Sequence, residues 1–322
     1  MIDDAKAAYG LRDFPYLGRE LNPVQDCQDL NLLCKVGGWR LAESLGDFVA
    51  QRAAAKKPAL VVTAGGSGTG RTSFANYLIH RWATGRQDAP FAPGKLIVAR
   101  GKMTDFDAEE QLWKWVLDLY PQAQDHDYEP TETLERTFEA LAAQKPAAME
   151  ASLGSALRKL TGALTAGGWA LAGVIEDVRQ RSLLTLAEKS FHFVDSLLVA
   201  TVEDTAGNFD AVLDNVEAAL DWEISRVATL GKLNGIEACQ VVFKRWQTCT
   251  ENDPPFLEGE VENAFVGRAR PIARILKLME VLLVNKVSNG PGVRWPDESL
   301  KFREGDMVKQ IKYLEEILLT GR

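Results

Sequence analysis

Short apolar runs without alternating polar positions recur along the chain. Four have the length of strands: Ala59–Ala64, Lys95–Ala99, Leu197–Val202 and Cys239–Phe243. Such a run predicts a strand buried on both faces, as in a parallel sheet. Because helical patterns separate the runs, the sequence predicts an α/β fold, with a parallel sheet and flanking helices.

A long helical segment is predicted between the second and third of these strands. From about residue 105 to 194, apolar positions recur at helical spacing, as at Leu112, Val116 and Leu119. We interpret the segment as a helical insertion packed on the sheet, because an unstructured loop of this length is unusual. Its most apolar part, Leu160–Ile175, is shorter than the roughly 20 residues of a membrane span, so it predicts a buried or interfacial helix.

The last part of the chain is also predicted to be helical. After Pro254, the side chains of Ile275, Leu276, Met279 and Leu283 share one apolar face. We therefore predict a core over residues 1–253, which includes the insertion, and a small helical lid over residues 254–322.

Composition excludes several classes of protein. The net charge of -8 argues against binding nucleic acid without regard to sequence, which requires clustered Lys and Arg. The four cysteines lack CxxC spacing, so no zinc site is expected, and scattered thiols fit a reducing compartment. The polar, acidic start does not resemble a secretory signal. We expect a cytoplasmic protein without a membrane span.

A glycine-rich loop lies between the first predicted strand and a helical pattern. It consists of Gly65, Gly66, Ser67, Gly68, Thr69, Gly70, Arg71, Thr72 and Ser73. This spacing matches the phosphate-loop pattern, in which glycines turn successive N–H groups toward phosphate oxygens and the hydroxyl at Thr72 binds Mg²⁺. The N-terminus of the helix adds partial positive charge. The loop therefore predicts binding of a nucleotide through residues 65–73.

Arg71 stands where the phosphate-loop pattern has Lys. Lys is a compact point charge, whereas the guanidinium of Arg is planar and forked. The loop therefore predicts nucleotide binding more firmly than hydrolysis. The alternative is a glycine-rich turn without a ligand, which the coincidence of strand, loop, Thr72 and helix disfavours.

Charged residues after later predicted strands complete the candidate site. Asp204 is the candidate Mg²⁺ ligand and Glu203 a candidate water-orienting base, with an exposed acidic turn as the alternative. Arg245 follows the fourth predicted strand, and Arg270 lies near the start of a helix in the lid. Each arginine is a candidate contact to the nucleotide, with an exposed surface charge as the alternative.

Aromatic residues near the start of the chain have two interpretations. Tyr9, Phe14 and Tyr16 could cover an adenine ring or anchor the terminal segment by packing. We favour the anchor.

Together these segments resemble the AAA+ and STAND branch of P-loop ATPases, over roughly residues 9–279. The resemblance rests on YGL..FPY, AGGSGTGRTS, Glu203–Asp204, VVFKR and GRARPIARILKLM. It implies ATP with Mg²⁺ as ligands, a sensing arginine at Arg245, and a homo-oligomer or a partner protein acting in trans. The reversed order of Glu203 and Asp204, with Arg71, argues against efficient hydrolysis. STAND proteins carry long sensor repeats for which this sequence has no room, so a sensor would be another chain.

The resemblance implies an ATP-controlled switch or assembly ATPase, whose nucleotide moves the lid and controls association. A catalytically inactive P-loop scaffold, binding partners through the helical insertion, is the first alternative. A DNA-associated AAA+ loader is the second, and the acidic net charge disfavours it. Small-molecule kinases also use phosphate loops, but the insertion and the lid favour the switch.

Overall fold

The computed structural model describes residues 1–86, 95–102, 108–125, 131–143, 149–178, 181–192, 194–203, 223–288 and 292–320. Within these residues, one sheet contains five parallel strands in the order β2-β3-β4-β1-β5. The strands are β1 Ala59–Gly65, β2 Leu96–Lys102, β3 Ala170–Glu176, β4 Ser196–Glu203 and β5 Ser225–Leu230.

Helices flank this sheet and form the C-terminal part of the chain. The α-helices are α1 Ile2–Tyr9, α2 Ala42–Ala54, α3 Arg71–Gly85, α4 Ala108–Gln124, α5 Glu132–Ala142, α6 Met149–Ala166, α7 Arg181–Phe191, α8 Gly235–Cys249, α9 Glu258–Phe265, α10 Ile272–Ser288 and α11 Asp306–Thr320. Short 3-10 helices span Cys27–Leu32, Gly37–Leu41 and Glu298–Leu300. The predicted α/β class with a parallel sheet is confirmed.

Strand β1 lies between two apolar clusters, because successive side chains of a strand point to opposite faces. Leu60 and Val62 pack in one cluster with α4 to α7, and Ala59 and Val61 pack in the other with α2 and α3. At its carboxyl end, Gly65 is in register with Glu203 of β4 and Leu230 of β5. The glycine-rich loop therefore leaves the sheet where neighbouring strands also end.

The predicted strand at Cys239–Phe243 is wrong, because these residues lie within α8. Asn234 and Glu237 form a capping box at the start of this helix, each side chain accepting from the other's backbone N–H. Ala238, Val241 and Val242 then bury one face at helical spacing. The two adjacent valines fit the pattern of a strand only if the capping residues before them are ignored.

The predicted helical segment from about 105 to 194 contains a strand that was not predicted from the sequence. Leu160–Ile175, predicted as one helix, comprises the end of α6 and most of β3. Ala170 to Ile175 are all buried, so no polar alternation marks the strand. Strand β5 was missed as well, because Ser225–Leu230 is short and contains polar residues.

A third apolar cluster, here called the lid cluster, joins the two ends of the sequence. Side chains of α1, of residues 11–16 and of α8 to α11 form it. Tyr9 and Tyr16 are fully buried there and donate hydrogen bonds to the carbonyls of Leu300 and Val242, each at 3.1 Å. These aromatic residues therefore anchor the terminal segment by packing.

Among the residues described, none of the helices combines the length and the apolar character needed to traverse a bilayer.

Candidate functional site

The glycine-rich loop connects β1 to α3, as predicted. Gly68 and Gly70 have φ angles of 75° and 94°, in the left-handed region where a side chain would be strained. The hydroxyl of Thr69 donates to the carbonyl of Gly66 at 2.8 Å, which closes the turn. The loop thus presents its backbone at the N-terminus of α3, where anions are stabilised.

The predicted lid touches this loop directly. The backbone N–H of Ala273, in the first turn of α10, donates to the carbonyl of Gly68 at 3.1 Å. A Cβ added to Gly68 would lie 3.1 Å from the Cβ of Ala273. The loop at Gly68 and the first turn of α10 are therefore in direct contact.

A cavity of about 320 Å³ lies beside the loop. Its walls come from residues 18–21, residues 32–34, the loop and α3 over residues 67–73, and the first turns of α10, with Trp39 and Arg245. This volume is in the usual range for small-ligand sites. The walls therefore come both from the glycine-rich loop and from the C-terminal helix α10.

Hydrogen bonds hold the wall at residues 18–21 against α3. The N–H of Leu21 donates to Oγ of Ser73 at 3.0 Å, and the side-chain amide of Asn76 donates to the carbonyl of Leu21 at 2.9 Å. Arg19 donates twice to the carboxylate of Asp29, at 2.8 and 2.5 Å. Asp29 is buried and also accepts from the N–H of Asn22 at 2.6 Å.

Asp29 is ionised in this setting. Burial opposes its ionisation, but the guanidinium of Arg19 and the N–H of Asn22 outweigh burial, so the pKa of Asp29 lies below its usual 3.8. A carboxyl group with a lowered pKa stabilises the fold fully above its usual pKa and loses that contribution as pH falls through the lowered value. Asp29 therefore stabilises this wall at neutral pH.

We expect Asp29→Ala to lower the free energy of unfolding by about 2 kcal/mol, because it leaves donors in a partly buried wall unsatisfied. The urea midpoint at neutral pH measures this loss. Asp47→Ala is the control, since Asp47 forms an exposed ion pair with Arg81 at 2.6 Å, and such pairs contribute little. Equal midpoints for the two variants would contradict the role given to Asp29.

Three side chains that line the cavity carry buried hydrogen-bond donors without a partner among the described residues. They are Nε1 of Trp39, Nη1 of Arg71 and Nε of Arg245. Buried polar groups are normally satisfied, so these three donors suit a ligand that offers them acceptor atoms. Because all three are donors and two are cationic, that ligand is rich in acceptors and negatively charged. A nucleoside polyphosphate has both properties.

Arg71 also faces two carboxylates at the ends of neighbouring strands. Its Nη1 lies 3.8 Å from Oδ1 of Asp177, and its Nη2 lies 3.6 Å from Oε1 of Glu203. Asp177 directly follows β3, and its N–H donates to Oγ1 of Thr201 at 3.2 Å. Asp177 was not among the predicted site residues, although its VIED pattern repeats the apolar-then-acidic pattern at Glu203.

Two solved structures share this arrangement of strands and helices. The Aeropyrum pernix ORC2 protein, in ADPNP–ADP complexes, aligns with a TM-score of 0.52 and 13% identity over 85% of this chain and 67% of that one. Drosophila ORC bound to DNA aligns with a TM-score of 0.51 and 12% identity over 93% of this chain and 68% of that one. The chain has the AAA+ P-loop ATPase fold. No protein-family model and no curated protein matches the sequence.

Within this AAA+ fold, most predicted site residues lie at the cavity. Ser67, Gly68, Gly70, Arg71, Thr72 and Ser73 line it, and Gly65, Gly66 and Thr69 shape the turn behind it. Glu203 lies near Arg71, and Asp204 falls outside the described residues.

Arg245 lines the cavity of the AAA+ fold from a position that differs from the prediction. It belongs to α8 and not to a strand end. Its side chain is 4% exposed, and its Nη1 lies 3.5 Å from the carbonyl of Pro15. Burial lowers the pKa of the guanidinium to about 10, so it remains charged at neutral pH.

The structure does not bring Arg270 to the loop. Its Nε and Nη2 donate to the carboxylate of Glu315 at 2.5 and 2.8 Å, and its Nη1 donates to the carbonyls of Phe265 and Arg268. With these partners, the guanidinium of Arg270 ties α11 to the start of α10. Its side chain is absent from the cavity walls.

The described residues do not complete a site for Mg²⁺. In the parts of the chain that the structure describes, no three His, Cys, Asp or Glu side chains are grouped so that they could hold a metal ion. Mg²⁺ requires oxygen ligands in octahedral geometry, yet Asp177 and Glu203 both face the guanidinium of Arg71. Thr72 stays a predicted ligand, as does Asp204.

Proposed function

We propose that the protein is an ATP-binding switch, in which the bound nucleotide sets the position of the lid and thereby controls association with a partner or with itself. One observation carries the proposal: the phosphate loop and the start of α10 share a cavity that contains three buried donors without partners among the described residues. A triphosphate would satisfy those donors, and its terminal phosphate would act on the contact between Gly68 and Ala273.

The moving part would be larger than the predicted lid. The lid cluster includes α1 and α8 as well as α9 to α11. We therefore propose that the core ends near Leu230 and that α8 moves with the lid.

An inactive scaffold is the first alternative, and phosphate release separates it from an ATPase. Arg71 and the order of Glu203 and Asp204 favour slow turnover or none. A DNA-associated loader is the second alternative, since one structural neighbour is an ORC bound to DNA. The net charge of -8 opposes it, and a gel shift at low salt in both nucleotide states tests it.

We expect ATP and ADP to raise the unfolding free energy by about 2.7 kcal/mol at a hundredfold excess over Kd. Gly68→Val should abolish this stabilisation, because a β-branched side chain is strained at a φ of 75° and meets Ala273. Thermal unfolding with and without nucleotide measures both effects.

Gly259→Val is the matched control, because a Cβ at Gly259 meets nothing within 4 Å. Hydrogen exchange at Ala273 then tests the switch, since its amide should exchange at different rates in the ATP and ADP states. Well-folded protein that gains no stability from ATP, ADP or GTP would refute nucleotide binding. Binding with identical exchange in both states would refute only the switch.

A further inference from the structure

We infer that Arg71 takes over the electrostatic role of a divalent cation, so that the protein binds nucleotide phosphates equally well with and without Mg²⁺. The inference rests on the proposed function, because it concerns the same cavity. It concerns the source of positive charge at the phosphates, which neither the fold nor the loop pattern determines.

The position of the guanidinium is the first observation. Arg71 begins α3 at the end of the phosphate loop, and its side chain is 14% exposed. The guanidinium lies within 4 Å of the carboxylates of both Asp177 and Glu203, which end adjacent strands. A cation held by these two carboxylates would occupy the same space, and the two positive charges would repel each other.

The free hydrogen-bonding capacity of Arg71 is the second observation. Its Nη1 is buried without a hydrogen-bond partner among the described residues. A guanidinium has five donors in a rigid fork and binds phosphate through two of them, whereas an ammonium acts as a point charge. Arg71 can therefore donate to a phosphate oxygen through Nη1 while Nη2 stays near Glu203.

The surroundings supply the rest of the anion site. The helix N-terminus and the backbone N–H groups of the loop favour negative charge without a metal ion. The inference therefore assigns the positive charge at the phosphates to groups of the chain itself.

Titration calorimetry of the full chain with ADP and with ATP, in excess EDTA and in excess MgCl₂, tests the inference. For the native sequence we expect Kd values within about threefold of each other in the two buffers, which is well under 1.4 kcal/mol. A Kd that is more than about tenfold weaker in EDTA would overturn the inference and leave nucleotide binding intact. Absence of binding in both buffers would overturn the proposed function as well.

Arg71→Lys assigns the effect to the guanidinium. The shorter, single-point ammonium should weaken binding in EDTA by about tenfold, and Mg²⁺ should restore much of that loss. Arg81→Lys is the control, because Arg81 lies on the same helix but pairs with the exposed Asp47. If Arg71→Lys binds in EDTA as tightly as the native protein, Arg71 does not replace the metal ion.

Discussion

A Gly38→Ala variant is expected to lose about 3 kcal/mol or more of unfolding free energy, which is a large part of the stability of a typical domain. Gly38 lies in the 3-10 helix before α2, packed against β5. An added Cβ would lie 1.7 Å from the carbonyl oxygen of Thr229. Because the obstacle is backbone of a sheet strand, no rotamer change relieves the clash.

The same substitution should weaken nucleotide binding. Trp39, the next residue, lines the cavity and packs edge-on against Phe74 of α3, with ring centroids 4.9 Å apart. Denaturant midpoints and nucleotide titrations measure the two effects. Gly231→Ala provides the matched control just after β5, because a Cβ there meets nothing within 4 Å. If both alanine variants unfold at the native midpoint, the contact between Gly38 and Thr229 is not as close as described.

The second large effect is expected at Arg270, whose side chain is only 9% exposed against Glu315. Arg270→Ala leaves a partly buried carboxylate and two backbone carbonyls without their donor, so we expect a loss of about 3 kcal/mol. The backbone of Arg270 also pairs with Leu233, at 2.8 and 2.9 Å. The loss should therefore also weaken the pairing of the segment after β5 with the segment that precedes α10.

Equilibrium unfolding of Arg270→Ala, with Arg274→Ala as a neighbouring control, tests this role. The hydrogen bonds from Arg270 lower the pKa of Glu315 below its usual 4.5. The contribution of these hydrogen bonds to stability is therefore complete above the usual pKa and is lost as pH falls through the lowered pKa. The difference in unfolding free energy between the native protein and Arg270→Ala should therefore become smaller in acid. A native-like midpoint combined with a large loss of ATP affinity would show that Arg270 senses the nucleotide instead.

The glycine-rich loop and its place between a strand and a helix could be predicted because the signals for them are local. Strand β1, the turn at Gly68 and Gly70, and the start of α3 are encoded within residues 59–73, and each was placed correctly. Strands β2 and β4 were also found, since each is a short apolar run rich in β-branched residues.

The remainder of the site depends on which strands are neighbours, and this is decided by distant parts of the chain. Asp177 reaches Arg71 only because β3 lies next to β4. An apolar run rich in Ala and Gly fits a buried helix as well as a buried strand, so periodicity could not identify β3. In contrast, the asparagine and glutamate that cap α8 could have been recognised in the sequence.

The lid cluster connects the first helix of the chain to its C-terminal helices. The N–H of Trp295 donates to the carbonyl of Ala8 at 2.7 Å, so α1 is fastened to the C-terminal helices. The chain leaves this cluster between Tyr16 and Leu21, and the N–H of Leu21 is bonded to Ser73 of α3. It returns to the cluster between Leu230, which ends β5, and Gly235, which begins α8. Because α1 and the C-terminal helices share one apolar cluster, any motion of those helices in the proposed switch would carry the first residues of the chain with it.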